Sequence, residues 1–94
     1  GIDALAKLLK DNLAYPLDAV RAKTEGKVIL RIVIDEKGHM TAPRLISGVD
    51  PLLDKEAMRI VEAIGRTHTW TPGKIDGEAK RISYTLPINF HLPS

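Results

Sequence analysis

The chain has no cysteine, few aromatic residues and no long apolar run, and each absence excludes a class of protein. Without cysteine there are no disulfides, thiolate nucleophiles or cysteine metal sites, so the chain suits either a reducing or an oxidising compartment. Aromatic residues make up 4% of the chain, too few for an extended base-stacking platform. No run approaches the roughly 20 apolar residues that span a bilayer, and no signal-peptide pattern opens the chain.

Charge is balanced and interleaved along the sequence. Fourteen Lys and Arg residues against twelve Asp and Glu give a formal net charge of +2, and Lys80-Arg81 are the only adjacent bases. Because a nucleic-acid-binding domain concentrates its positive charge on one face, we expect no nucleic-acid partner.

The sequence predicts no catalytic, metal or cofactor site. His39, His68 and His91 have no i,i+4 spacing and no HExxH pattern. The serines do not lie in a Gly-x-Ser-x-Gly elbow, and there is no glycine-rich phosphate loop. We therefore expect a protein that is not an enzyme.

Three segments have helical periodicity. Residues 2 to 13 predict a short amphipathic helix, and a second short helix is expected to begin at Pro16. The clearest helix runs from 52 to 64, with Gly65 as its expected end and Asp50, Asp54 and Glu56 as solvated carboxylates near its start. The apolar stripes are Ile2, Leu5, Leu9 and Leu13 on the first helix and Leu53, Ala57, Ile60, Val61 and Ile64 on the long one.

Three segments read as strands. Residues 27 to 35 are apolar on both faces, which predicts a central strand, and a turn at 36 to 38 leads into an irregular edge strand over 39 to 47. A loop is expected from 67 to 77, followed by a long alternating strand from 79 to 92. The predicted fold is a single α+β domain over 1–94, with a three-stranded antiparallel sheet in the order 2-1-3 and two or three helices packed on one face.

The last strand contains Pro87, which has no N–H to give to a ladder, so the side that Pro87 faces is expected to be unpaired. An unpaired strand can accept a strand from another chain. Taken alone, it can also be a sheet edge blunted against aggregation. The candidate partner-binding residues are Arg81, Ser83, Tyr84, Thr85, Leu86 and Asn89, with pairing expected around 81 to 86.

Six short elements resemble, in order and approximate spacing, the TonB C-terminal domain family over residues 15 to 92. They are Tyr15-Pro16, Gly26-Lys27-Val28, Asp35 followed by Gly38, Leu53-Asp54 with Glu56-Ala57, Trp70-Thr71-Pro72-Gly73 and Pro87-Ile88-Asn89-Phe90. The motif residues with an expected structural role are Tyr15, Pro16, Gly26, Gly38, Asp54, Trp70, Pro72, Gly73 and Phe90. Trp70 is expected to close the open end of the core.

The resemblance implies a periplasmic domain of an energy transducer, anchored to the inner membrane by a segment absent from this chain. It also implies two sets of partners. Outer-membrane TonB-dependent transporters would offer their TonB box to the last strand, and inner-membrane motor proteins would act through the missing N-terminal part. Two alternatives stay open: a similar domain appended to another envelope protein, such as a sensor or membrane protease, and a self-associating module that forms homodimers by strand exchange.

Overall fold

The structure is a computed structural model that describes residues 2–93. The side chains of Ile2 and Asp3 lie outside the described part, and so does the predicted place of Ile2 on the helix stripe. The elements in chain order are α1 Ile2–Asn12, α2 Leu17–Arg21, β1 Gly26–Ile34, β2 Arg44–Ser47, α3 Pro51–Thr67, β3 Gly73–Ile75, β4 Glu78–Lys80 and β5 Ile82–Phe90.

The main sheet has three antiparallel strands in the order β2-β1-β5. β1 and β5 pair along their whole lengths, from Gly26 opposite Phe90 to Ile34 opposite Ile82. This confirms the predicted fold class, with the first predicted strand at the centre and the last strand beside it.

The core lies between one face of this sheet and the helices. The even-numbered residues of β1 from Val28 to Ile34 are buried, as are Leu86, Ile88 and Phe90 of β5. They form one apolar cluster with Leu5 and Leu9 of α1, Ala19 of α2 and the stripe of α3 (Leu53, Ala57, Ile60, Val61, Ile64). Each fully buried aliphatic side chain contributes about 1.5 to 3 kcal/mol, and the alternation of β1 and β5 directs this set to a single face.

The long helix begins as expected and ends later. The Asp50 carboxylate caps it by accepting the Leu52 N–H at 2.9 Å, and Pro51 occupies the first turn. The predicted end at Gly65 is wrong, because α3 continues to Thr67. Gly65 packs against Met40, where an added Cβ would lie 3.0 Å from the sulfur, so its small size serves packing.

The second strand is shorter than predicted. Residues 39 to 43 follow β1 through a bridge between Ile34 and Met40 and through the Thr41 N–H, which donates to the Val33 carbonyl at 2.8 Å. Regular pairing begins at Arg44, directly after Pro43, and a register shift follows between Ile29 and Leu30. β2 is therefore a short and irregular edge strand.

After α3 the structure differs from the sequence prediction in two places. The expected loop from 67 to 77 contains β3, and the expected strand from 79 to 92 is divided into β4 and β5 at Arg81. β3 and β4 form a separate hairpin. Its two-residue turn is Asp76-Gly77, with φ of 53° and 80°, the positive values that a type I′ turn requires.

Candidate functional site

The outer edge of β5 presents backbone groups that β1 does not use. In an antiparallel pair, both polar groups of a residue point to the same neighbour, and the direction alternates along the strand. The Val33 carbonyl bonds to Thr41 on the β2 side, so the odd-numbered residues of β1 face β2 and the even-numbered ones face β5. The β5 partners of those even residues run from Ile82 to Phe90 in steps of two. The backbone groups of the residues between them, Ser83, Thr85, Pro87 and Asn89, therefore point away from β1, and we call these four the outer edge.

Within residues 2–93, β5 pairs with β1 and with no second strand of the main sheet. All four outer-edge side chains are exposed. Ser83, Thr85 and Asn89 each offer an N–H and a carbonyl, whereas Pro87 offers a carbonyl alone. The proline thus occupies a position where its missing N–H leaves the ladder to β1 intact.

The predicted partner-binding residues fall into three groups. Ser83, Thr85 and Asn89 lie together on the outer edge. Arg81 is exposed in the one-residue gap between β4 and β5. Tyr84 and Leu86 stand opposite Ile32 and Leu30, so their backbone groups point to β1. The Leu86 side chain is 3% exposed and belongs to the core, while Tyr84 is half-buried against it.

An apolar groove of about 650 Å³ runs between α1 and the C-terminal half of β5. From the helical side it is lined by Leu9, Lys10, Leu13 and Tyr15, and from the sheet by Thr85 to His91. A strand added to the outer edge would lie beside this groove and could place apolar side chains in it. Sequence reasoning missed the groove because it depends on where α1 lies relative to β5, a contact with no local signal.

Tyr15 connects the segment after α1 to the end of β5. Its hydroxyl donates to the Thr24 carbonyl, and its ring packs edge-on against Phe90, with centroids 5.5 Å apart and planes at 87°. Desolvation, together with the negative charge of Glu25, raises the pKa of Tyr15. The Glu25 carboxylate also accepts the Leu92 N–H at 2.6 Å, which fixes the chain just beyond β5.

Glu56 fixes the chain between Leu13 and Tyr15, which line the groove, a role that the sequence analysis did not foresee. Its side chain is buried, contrary to the solvated position expected, and one carboxylate oxygen accepts the Ala14 N–H at 2.8 Å. Arg59 binds the same carboxylate through two nitrogens, at 2.6 and 2.7 Å. Burial alone would raise the pKa of Glu56, but the hydrogen bonds from Arg59 and Ala14 and the Arg59 charge outweigh it and lower the pKa.

Trp70 lies at one end of the core. It is 9% exposed, its ring stacks on His68 with centroids 5.7 Å apart, and its backbone N–H donates to the Gly38 carbonyl at 2.8 Å. Gly38 has a φ of +84°, and a Cβ there would collide with the Trp70 carbonyl oxygen. The turn between β1 and β2 and the segment after α3 are thereby held together.

The remaining motif residues lie at chain reversals. Pro16 precedes α2, and Pro72 leads into β3. The Asp54 carboxylate accepts the Val49 N–H at 2.9 Å, which closes the loop between β2 and α3. Gly26, at the start of β1, packs against Val49, and Gly73, at the start of β3, packs against Ile82.

In the part of the chain that the structure describes, no three His, Asp or Glu residues come close enough together to hold a metal ion. No helix among residues 2–93 has the length and apolarity to cross a membrane.

The family model of the Gram-negative bacterial TonB protein C-terminal domain matches residues 11–92. The chain belongs to this family. Among solved structures, two NMR solution structures of TonB C-terminal domain fragments from Helicobacter pylori match, both at 16% identity. The longer fragment has a TM-score of 0.75, covering 94% of this chain and 77% of its own. The shorter has a TM-score of 0.71, covering 95% and 90%.

The C-terminal domain of HasB is also similar, with 30% identity, a TM-score of 0.52 and coverage of 98% of this chain and 70% of its own. None of the curated proteins searched matches the sequence. The Helicobacter pylori matches, at low identity, show the fold, and the family model shows membership. Both confirm the resemblance found in the sequence motifs.

TonB C-terminal domains are periplasmic interaction domains of Gram-negative bacteria that serve energy transduction and transport. Membership places this chain in that class of protein.

Proposed function

We propose that this TonB C-terminal domain acts without enzymatic activity and docks onto outer-membrane transporters by adding their TonB box as a strand to the outer edge of β5. Through that contact it transmits proton-motive-force energy for uptake. The observation that supports this is the outer edge itself, where Ser83, Thr85 and Asn89 direct both backbone groups away from β1. A long strand with free donors and acceptors on one side is what strand addition requires.

The free energy of such a contact is small. Four to six new backbone hydrogen bonds contribute about 0.5 to 1.5 kcal/mol each, and ordering a flexible box costs about 1 to 2 kcal/mol per residue. Apolar side chains placed in the groove would add the rest, at about 25 cal/mol per Å² buried. A weak contact of this kind suits a partner that must be released after each cycle.

The remainder of the proposal concerns segments outside this chain. In the intact protein an upstream segment would anchor the domain to the inner membrane and connect it to the motor proteins. Family membership supports this arrangement.

The test is a titration of the isotope-labelled domain with a synthetic TonB-box peptide, followed by backbone amide shifts. The largest shifts are expected between Arg81 and Leu86, with a further response at Asn89. A response confined to the helices would contradict the proposal.

A pair of variants at Thr85 isolates the backbone contribution. Thr85→Pro removes the outward N–H and should abolish binding, whereas Thr85→Val keeps the N–H and should bind within about twofold of the wild type. Circular dichroism checks that both variants fold.

If Thr85→Pro is unstable, N-methylation of alternate amides in the peptide tests the same hydrogen bonds from the peptide backbone. Methyl groups in one register should abolish binding and those in the other should be tolerated, because alternate residues of a strand face the same neighbour.

A further inference from the structure

The sheet face opposite the helices carries positive charge without negative charge. We call it the open face; it consists of the odd-numbered residues of β1 and β5 and their partners on β2. Its basic residues are Lys27 and Arg31 of β1 and Arg44 of β2, all exposed. None of the three strands contributes an acidic residue to it. The three strands contain no Asp or Glu, and the pleat directs Lys27 and Arg31 to this one face.

Arg31 and Arg44 stand directly opposite each other on neighbouring strands. Like charges in this position destabilise a sheet. Among the described residues neither arginine has a carboxylate within 4.0 Å, whereas Arg21, Arg59 and Arg66 each have one. The pair therefore does not stabilise the isolated domain, and an anion supplied from outside would relieve the repulsion.

The position of the pair indicates where that anion would lie. Thr85 of the outer edge is the β5 partner of Arg31, so Arg44, Arg31 and Thr85 form one row across the open face. A guest strand on the outer edge would add the next residue to this row, about 9.5 Å from Arg31 at two strand spacings. An arginine side chain is long enough to reach across Thr85, and repulsion from Arg44 favours the conformers that do so.

We propose that Arg31, with Arg44 behind it, selects a guest strand that carries a carboxylate side chain on the open face, in the row of Thr85. This rests on the strand addition proposed above and specifies the chemistry of the partner: an extended protein segment with acidic residues on one face. Its alternate side chains, which point to the helical side, would meet the apolar groove beside α1. The guest strand therefore alternates acidic side chains, on the open face, with apolar side chains, on the helical side.

The test compares two blocked octapeptides, one alternating Val with Glu and the other alternating Val with Gln, by amide-shift titration at low salt. The Glu peptide should bind about two- to fivefold more tightly, the range expected of an exposed ion pair. The preference should disappear in the double variant Arg31→Gln/Arg44→Gln and weaken as salt is added. It should persist in Arg21→Gln/Arg66→Gln, which removes the same charge from the helices.

The outcomes separate this inference from the proposed function. If both peptides shift the outer-edge amides with equal affinity, strand addition stands and the charge selection is wrong. A preference that survives in Arg31→Gln/Arg44→Gln also overturns the selection. If neither octapeptide binds while a TonB-box peptide does, the charge selection fails and strand addition stands; if none of the three peptides binds, both proposals fail. A further outcome would assign the open face to a lipid surface. In that case the two peptides bind equally, the domain sediments with phosphatidylglycerol vesicles, and Arg31→Gln/Arg44→Gln abolishes the sedimentation.

Discussion

At the scale of single residues, Glu56 shows how one buried carboxylate can join segments that are distant in sequence. One of its oxygens accepts the Ala14 N–H, 42 residues away in sequence, and so fixes the segment just after α1 beside α3. Because the net effect of its surroundings lowers its pKa, the ionised form is stabilised by folding. The stabilisation is then present above the unfolded-state pKa of about 4.3 and is lost as the pH falls through the lower folded-state value.

We predict that Glu56→Gln lowers the free energy of unfolding by about 1.5 to 3 kcal/mol near neutral pH, because hydrogen bonds to a charged group are lost. The difference from the wild type should shrink as the pH falls below about 4. Urea unfolding across that range measures it. Glu62→Gln is the matched control, since Glu62 pairs with Arg66 at 4.0 Å on the exposed side of the same helix and should change stability by less than about 0.5 kcal/mol. A difference that stays constant with pH would contradict the account.

Gly38 and Gly77 allow backbone strain to be separated from steric overlap. Both have a φ near +80°, but a Cβ at Gly38 would meet the Trp70 carbonyl, whereas at Gly77 no atom of the described residues lies within 4 Å. Gly77→Ala should therefore cost about 1 to 2 kcal/mol, the penalty of a left-handed residue with a Cβ. Gly38→Ala should cost clearly more and change the Trp70 fluorescence. Thermal unfolding of the two variants is the measurement, and equal losses would show that the Trp70 contact contributes nothing.

At the scale of elements, the β3–β4 hairpin and the main sheet differ in how much apolar surface they bury. The hairpin residues are exposed or half-buried, and Ile75 at its tip is 53% exposed, whereas β1 and the inward side of β5 form the core. Strands that bury little apolar surface open in local fluctuations that leave the rest of the fold intact.

We therefore predict that the amides of β3 and β4 exchange with solvent much faster than those of Leu30, Ile32 and Leu86 in the core strands. Hydrogen exchange followed by NMR gives the rates residue by residue. Slow exchange in the hairpin, matching the core strands, would mean that it unfolds with the whole domain, in conflict with its exposure.

The elements that the sequence predicted correctly have strong periodic signals. The apolar run of 27 to 35 predicts the central strand β1, the period of about 3.6 predicts the stripe of α3, and both contribute to the core. The β3–β4 hairpin was missed although a signal was present, since Asp76-Gly77 is a typical two-residue turn. The predicted loop of 67 to 77 includes β3 and the turn, and the predicted strand of 79 to 92 includes most of β4, because strands of three residues each give no periodic signal of their own.

Other features could not be predicted because they depend on contacts distant in sequence. Gly65 has the local signature of a helix end, but its contact with Met40 and the continuing hydrogen bonds extend α3. Glu56 has the signature of a solvated first-turn carboxylate and becomes buried when α1 packs beside it. Between the Ile34–Met40 bridge and the Arg31–Arg44 pair, β1 advances by three residues and the partner segment by four. This extra residue decides which face Arg44 occupies, and no local pattern encodes it.

At the scale of the whole molecule, the outer edge that would receive a transporter is also open to a second copy of the domain. We predict weak, concentration-dependent self-association through β5, which a TonB-box peptide should reverse by competing for the same backbone groups. Sedimentation velocity at several concentrations, with and without peptide, tests this. A dimer that persists in saturating peptide would use another surface.

The central claim is that the odd-numbered residues of β5 keep their backbone groups free for a guest strand. Amide hydrogen exchange of the labelled domain with and without a TonB-box peptide tests it most directly. The Tyr84 and Leu86 amides should be protected in both states, whereas those of Ser83 and Thr85 should exchange freely alone and become protected when peptide is bound. Protection of Ser83 and Thr85 in the free monomer, or no gain on binding, would contradict the account.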